Sequence, residues 1–181
     1  MHNPVLIVPG INNSGEGHWQ TLWERRDPGF ERLAVDDWDN PECSAWSEAI
    51  GSAVKRLGQH TVIVAHSLGC LAVAHWAARS GSAAGAALLV AVPDPLGPAF
   101  PPSARGFSPL PARRFPFPSL IVASSDDPYA NADHTLNCAQ AWGSQLHQLG
   151  PHGHLNSASG LGEWAAGWAL LESLRAPQPS S

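Results

Sequence analysis

The fold is decided by one stretch, Thr61-Val62-Ile63-Val64-Ala65-His66-Ser67-Leu68-Gly69-Cys70-Leu71-Ala72. Its first half is a β-branched run without charge, which is typical of a strand buried on both faces. Its second half is rich in alanine and leucine, and it predicts a helix that begins directly after Ser67. Ala65 and Gly69 are small, as residues must be where a strand and a helix meet in a sharp turn. The stretch predicts a nucleophile elbow that raises Ser67 at the end of a strand, and an ordinary helix N-cap serine is the alternative.

Short apolar runs alternate with amphipathic ones along the rest of the chain. Strands are predicted over 5–8, 33–35, 61–65, 86–92, 120–123 and 145–149, and helices over 19–26, 44–57, 68–79, 131–142 and 161–174. Six strands that alternate with helices predict one parallel sheet with helices on both faces, which is an α/β fold. We expect 1–175 to form a single domain and 176–181 to be a frayed tail.

Composition narrows the class of protein. The chain has 181 residues, a net charge of −5 and 44% hydrophobic residues, so one ordinary core is expected and a nucleic-acid partner is not. No run approaches the roughly 20 apolar residues of a membrane span, and no basic region precedes the first apolar run. The cysteines Cys43, Cys70 and Cys138 are odd in number and far apart, which indicates reduced thiols. We therefore expect a soluble cytoplasmic protein that binds no membrane.

The segment 93–118 interrupts the alternation, because it holds nine of the chain's 17 prolines. Proline removes backbone donors and breaks helices, so the segment is predicted to be an irregular excursion. Irregular segments of this length are often lids or binding loops. A surface loop without a role is the alternative.

A nucleophilic serine needs a base, and the base needs an acid that orients it. After an elbow serine, the expected chain order is aspartate and then histidine. Asp126 and Asp127 both follow the predicted strand 120–123, at the sheet edge where ligands bind in open α/β folds. We prefer Asp127 as the acid and expect Asp126 to be a loop-capping acceptor.

The base is expected in the loop after the last strand, which contains His152 and His154. We prefer His154 because Gly153 directly precedes it and lets the loop swing over the nucleophile. His152 is then a loop histidine. The histidines and cysteines lack the compact spacing of zinc motifs, so no metal site is expected.

Backbone donors should stabilise the oxyanion of an acyl-transfer reaction. We expect the N–H of Leu68, the residue after the nucleophile, and that of Ile11, in the loop after the first strand. Loops at this edge of the sheet should also contact the substrate. His18, Trp19 and Trp38 are the candidates, with ordinary core packing as the alternative for the two tryptophans.

The motifs together resemble the retinoblastoma-binding protein 9 / YdeN family of small serine hydrolases. The matching residues, in chain order, are Pro9-Gly10, Ser14, His18-Trp19-Gln20, Asp37-Trp38, Pro41, His66-Ser67-x-Gly69, Ser125-Asp126-Asp127-Pro128 and Gly153-His154-x-Asn156. The resemblance extends from Val5 to about Leu174. This chain departs from the family at Ala65, where glycine is usual, and in the proline-rich segment.

The resemblance implies a three-layer α/β-hydrolase fold with about six parallel strands in the order 2-1-3-4-5-6 and no large cap domain. It also implies a triad of Ser67, Asp127 and His154 that works without a cofactor on small substrates. We expect a serine hydrolase that cleaves a small carboxylic ester through an acyl-enzyme. A small-substrate amidase or peptidase on the same triad is one alternative, and a non-catalytic binding or scaffold protein is the other.

Overall fold

Strands and helices alternate along the chain. The computed structural model describes residues 3–79 and 81–176. The elements are β1 (Val5–Val8), α1 (Trp19–Arg26), β2 (Phe30–Arg32), α2 (Cys43–Leu57), β3 (Val62–His66), α3 (Leu68–Ala77), β4 (Ala86–Val90), β5 (Ser119–Ser124), α4 (Ala132–Trp142), β6 (Gln145–Leu149) and α5 (Ala165–Arg175). A single 3-10 turn covers Ser157–Ser159. Apart from Ala176, the expected tail lies outside the described residues.

The six strands form one sheet in the order β2-β1-β3-β4-β5-β6, and each neighbouring pair is parallel. The expected strand order is confirmed. Because the strands run the same way, their carboxyl ends share one edge of the sheet, where Val8 of β1 and His66 of β3 lie. Loops that follow β1, β3, β5 and β6 therefore converge on one place.

Side chains that alternate along the strands supply two cores, one on each face of the sheet. Leu6 and Ile63 face the core that Trp46 of α2 and Leu71 of α3 complete. Val5, Ile7, Val62 and Val64 face the other core, which contains Trp19, Trp23 and Leu171. Helices thus cover both faces, and no large cap domain is present in 3–79 and 81–176.

Two elements differ from the sequence prediction by three residues or more, and the others by at most two. The strand expected over 33–35 lies at Phe30–Arg32, and Leu33 adds only one further hydrogen bond, to the carbonyl of Ile7 (2.8 Å). The helix expected from residue 161 begins at Ala165, because Trp164 has a left-handed backbone with φ 42°. Backbone conformation at a single residue is invisible to apolar periodicity.

The proline-rich segment has no strand or helix between 93 and 118 in the described structure. Its later part is anchored, because Phe107, Phe115 and Phe117 are buried in the core beside α2 and α3. Trp142 also donates a hydrogen bond to the Pro111 carbonyl (2.9 Å). Its earlier part, 93–101, approaches the carboxyl edge of the sheet. The segment is irregular but tied to the fold along its later half.

The turn between β3 and α3 is sharp. Ser67 has φ 53° and ψ −125°, a strained conformation for a residue with a side chain. Gly69 lies so close to the end of β1 that a Cβ there would be 2.5 Å from the carbonyl oxygens of Val8 and Pro9. The close approach of two backbones therefore requires glycine at this position.

Three cysteines, Cys43, Cys70 and Cys138, are free and buried. No helix in the described part of the chain is long and apolar enough to cross a membrane. The cytoplasmic location stays a prediction.

Replacing Gly69 by alanine should lower the free energy of unfolding by at least about 2 kcal/mol, because β1 and α3 must move apart. Urea denaturation measures this change. Gly17→Ala is the matched control, since a Cβ at Gly17 would meet no atom within 4 Å. Equal midpoints for the two variants would contradict the steric argument.

Candidate active site

Ser67 lies half-buried at the carboxyl edge of the sheet, where β3 gives way to α3. Its backbone N–H donates to the Val90 carbonyl at the end of β4 (2.9 Å), which fixes the turn against the sheet. The Ser67 hydroxyl donates to Nε2 of His154 at 2.7 Å. This orientation leaves Oγ facing a cavity above the sheet.

His154 comes from the loop after β6 and lies between Ser67 and Asp127. Its Nδ1–H donates to the two carboxylate oxygens of Asp127, at 2.9 and 3.0 Å. The side chains of His154 and Asp127 are only 9% and 4% exposed. With its proton held on Nδ1, the imidazole presents a lone pair to the serine hydroxyl, which is the arrangement a general base needs.

The neighbouring aspartate has a different position. Asp126 accepts hydrogen bonds from the Ser124 hydroxyl (2.8 Å) and the Gly153 N–H (2.7 Å). These two donors, the Ser124 hydroxyl first, hold the pKa of the Asp126 carboxyl below its ordinary value. Asp126 thus ties the end of β5 to the loop that carries His154. His152 is exposed, and its backbone N–H donates to the Ser124 hydroxyl (3.0 Å).

Two buried side chains bind the backbone of the loop that carries His154. His66 Nε2–H donates to the His154 carbonyl (2.9 Å), and Trp19 Nε1–H donates to the Leu155 carbonyl (2.8 Å). Leu155 itself is fully buried, with φ 51°. These contacts position the imidazole by its backbone. Sequence reasoning gave no sign of them, because they join residues 88 and 136 positions apart.

Neither candidate tryptophan lines the cavity, which corrects that expectation. Trp19 is 1% exposed and packs against Trp23 in the core, because the apolar face of α1 points at the sheet. Trp38 packs edge-on against Trp46, and its carbonyl accepts the Asn12 N–H (2.9 Å). Trp19 therefore binds the loop that carries His154, and Trp38 binds the loop after β1, and neither lines the cavity.

His18 does border the cavity. It is the N-cap of α1, where its Nδ1 accepts the Gln20 N–H at 3.1 Å. Burial, and then the charges of Arg32 and His154, lower the His18 pKa to about 4. Burial also holds the His66 pKa well below its ordinary value. The imidazoles of His18 and His66, which lie beside His154, are therefore uncharged near neutral pH.

The loop after β1 faces Ser67. A Cβ at Gly10 would lie 2.9 Å from the Ser67 Cβ, so the loop and the elbow are in contact. Leu68 is the first residue of α3, so its N–H has no acceptor within the helix. Among the described residues, no acceptor is found for the Ile11 N–H either. Ile11 and Leu68 both border the cavity, as the oxyanion prediction requires.

A buried glutamine holds this loop in place. Gln20 is fully buried, and its amide nitrogen donates to the carbonyls of Val8 (3.3 Å) and Val64 (3.1 Å). Its amide oxygen accepts the Ser14 hydroxyl at 2.6 Å. One side chain thus joins β1, β3 and the loop between β1 and α1. The motif His18-Trp19-Gln20 is the sequence signal that could have identified it.

The cavity over Ser67 has a volume of about 520 Å³. Besides the loop after β1, it is bordered by Pro93 and 99–101 of the proline-rich segment and by Tyr129, whose ring centre lies 4.4 Å from that of His154. A larger groove of about 670 Å³ between α2 and α3 contains none of these residues. Within the described ranges, no three His, Cys, Asp or Glu side chains are placed to hold a metal ion.

A family model described as "Serine hydrolase" matches residues 5–173 of the chain. The chain belongs to this serine hydrolase family. Among solved structures it is similar to a YdeN-like hydrolase of Pectobacterium atrosepticum, with 29% identity, coverage of 96% of this chain and 92% of that chain, and a TM-score of 0.82. The resemblance to YdeN-like serine hydrolases of the α/β-hydrolase superfamily is confirmed. No curated protein matches the chain.

Two more distant structures show the fold alone. The ydeN gene product of B. subtilis is 22% identical, with 95% of this chain and 98% of that chain covered and a TM-score of 0.79. A thermophilic esterase from Thermogutta terrifontis is 15% identical, with 96% and 90% covered and a TM-score of 0.63. The α/β-hydrolase fold expected from the sequence is confirmed.

The two aspartates should differ in their effect on this serine hydrolase. Asp127→Ala should slow labelling of Ser67 by a fluorophosphonate about 10³-fold or more, because the imidazole loses the group that orients it. Asp126→Ala loosens only the loop and should slow labelling about tenfold. Single-turnover labelling measures both rates. An equal loss in the two variants would contradict the assignment of Asp127.

His18 should make stability depend on pH. Its pKa of about 4 in the folded chain lies below the ordinary 6.5, so the unfolded chain binds the proton more readily. Stability therefore falls as the pH drops from 6.5 towards 4, by about 2 kcal/mol between pH 7 and 5. His18→Asn keeps a capping oxygen and removes this part of the pH dependence.

Urea denaturation of wild type and His18→Asn at both pH values tests this expectation. His60→Asn is the control, because it also replaces a histidine by asparagine, but at an exposed position. A pH dependence that is unchanged in His18→Asn would contradict the argument.

Proposed function

We propose that this serine hydrolase is a carboxylesterase that acts on small esters through a Ser67–His154–Asp127 triad. The observation that carries the proposal is the 2.7 Å hydrogen bond from the Ser67 hydroxyl to His154 Nε2, with Asp127 on the other ring nitrogen. The side chains of Ser67, Asp127 and His154 are distant in the sequence but contact one another. Ser67 lies in the turn between β3 and α3 and has a strained backbone, with φ 53°. Such an arrangement has a clear chemical use as an activated nucleophile.

In the first half-reaction, Ser67 Oγ attacks the ester carbonyl carbon while its proton passes to His154 Nε2. The carbonyl oxygen becomes an oxyanion, which the N–H groups of Leu68 and Ile11 stabilise. The tetrahedral intermediate then collapses. The bond to the leaving oxygen breaks, His154 gives its proton to that oxygen, and the alcohol departs from an acyl-Ser67 ester.

The second half-reaction repeats these steps with water. His154 removes a proton from water, whose oxygen attacks the acyl carbon. The new oxyanion accepts hydrogen bonds from the same two N–H groups, those of Leu68 and Ile11. When the intermediate collapses, the bond to Ser67 Oγ breaks and Oγ takes the proton from His154. The products are a carboxylic acid and the free serine, and Asp127 orients the imidazole throughout.

A fluorophosphonate probe tests the nucleophile. Wild type should gain one adduct per chain on Ser67, seen by mass spectrometry of the intact protein and of its peptides. Ser67→Ala should gain none and should lose p-nitrophenyl acetate hydrolysis by at least about 10³-fold. A folded wild type that is neither labelled nor active would favour a binding or scaffold protein.

Matched acyl substrates test the preference for esters over amides. The kcat/KM for a p-nitrophenyl ester should exceed that for the p-nitroanilide of the same acyl group by at least about 10²-fold, after correction for the uncatalysed rates. An alkoxide or phenoxide is expelled more easily than an amide nitrogen, which must gain a proton before it departs. Comparable corrected rates would instead identify an amidase or peptidase.

A further inference from the structure

The cavity over Ser67 carries no lysine, arginine, aspartate or glutamate along its described lining. The imidazoles of His18 and His66 are uncharged near neutral pH because they are buried. Arg32 approaches the loop after β1 from outside the cavity. Its guanidinium is already engaged by Glu24 and by the carbonyl of Ser14 (2.9 Å).

The lining divides into two chemical kinds. Pro93, Phe100 and Pro101 form an apolar wall, which the proline-rich segment contributes. Phe100 is fixed there, because it packs against the core and lies edge-on to the buried Phe107. The opposite side is formed by the loop after β1 and by the loop after β6, which carries His154 and is called the histidine loop. There the lining side chains include neutral hydrogen-bonding groups such as Asn12 and Asn156.

We propose that this cavity selects esters with an uncharged, largely apolar acyl group and rejects those whose acyl group carries a carboxylate. The inference rests on the proposed esterase function, since it names the substrate class of the same site. An apolar acyl chain that packs against Pro93, Phe100 and Pro101 is removed from water, and this burial contributes favourable binding free energy. The neutral amide and hydroxyl groups of the lining can donate hydrogen bonds to the ester oxygens, so no charged residue is needed.

A carboxylate in the same place would be strongly disfavoured. It would leave water for a cavity that offers it no cation, which is costly for any ion. Asp127 lies directly behind His154, and the chain as a whole has a net charge of −5. Both of these negative charges repel an anionic substrate.

The test compares three p-nitrophenyl esters of similar acyl length: butyryl, hemisuccinyl and methyl-succinyl. The first and third are neutral, and the second carries a carboxylate at pH 7. The kcat/KM for the hemisuccinyl ester should be at least about 100-fold lower than for either neutral ester. Because the methyl-succinyl group is no smaller than the hemisuccinyl group, a low rate on both would show selection by size and overturn the proposal.

A charge variant locates the effect in the cavity. Ala99 is exposed and borders the cavity, so Ala99→Arg places a cation at the apolar wall. The ratio of hemisuccinyl to butyryl kcat/KM should rise about tenfold. Ala112→Arg is the matched control, because Ala112 is exposed in the same segment but does not border the cavity. An equal rise in both variants would trace the selectivity to net charge and overturn the proposal.

The experiment separates this proposal from the proposed function. Fluorophosphonate labelling of Ser67 without any preference for neutral acyl groups would overturn the selectivity alone. Absence of both labelling and ester hydrolysis in folded protein would overturn the esterase function and the selectivity together.

Discussion

The site depends on the contact between the end of β1 and the start of α3. Two backbones meet there with no room for a side chain, so Gly69 lies against the carbonyls of Val8 and Pro9, and Gly10 lies against Ser67. Gln20 completes the contact from the other face of the sheet by accepting the Ser14 hydroxyl and donating to two strand carbonyls. Ser67 and the loop that faces it are therefore positioned by one packed junction, and neither can shift without the other.

The histidine loop is held by a second, independent set of contacts. Asp126 and Ser124 bind it from β5, whereas His66 and Trp19 bind its carbonyls from beneath. Because these side chains bind the backbone, they restrict the position of the imidazole without competing for its ring nitrogens. The ring nitrogens stay available to Ser67 and Asp127 while the backbone of the loop stays in place. A general base needs this separation between the atoms that hold it and the atoms that react.

Much of this arrangement could be predicted from the sequence, and the reasons are specific. The β-branched run before Ser67 and the alternation of apolar segments indicate the sheet, and the order of Ser67, Asp127 and His154 indicates the site. The sequence does not indicate that Trp19 and Trp38 lie away from the cavity, because a position near a loop does not say which way a side chain points. Trp19 begins a helix whose apolar face must cover the sheet. The bonds to His154 and Leu155 join distant residues, and no local pattern encodes them.

The proline-rich segment is built in two parts with different attachments. Its aromatic residues Phe107, Phe115 and Phe117 are buried beside the helices. Pro93 and 99–101 border the cavity over Ser67, and Phe100 also packs against Phe107. Substitutions in the part that borders the cavity can therefore change the shape of the cavity while the buried phenylalanines stay in place. A mutagenesis library confined to Ala99 and Pro101 would therefore vary the cavity wall while the buried aromatic residues keep the segment in place.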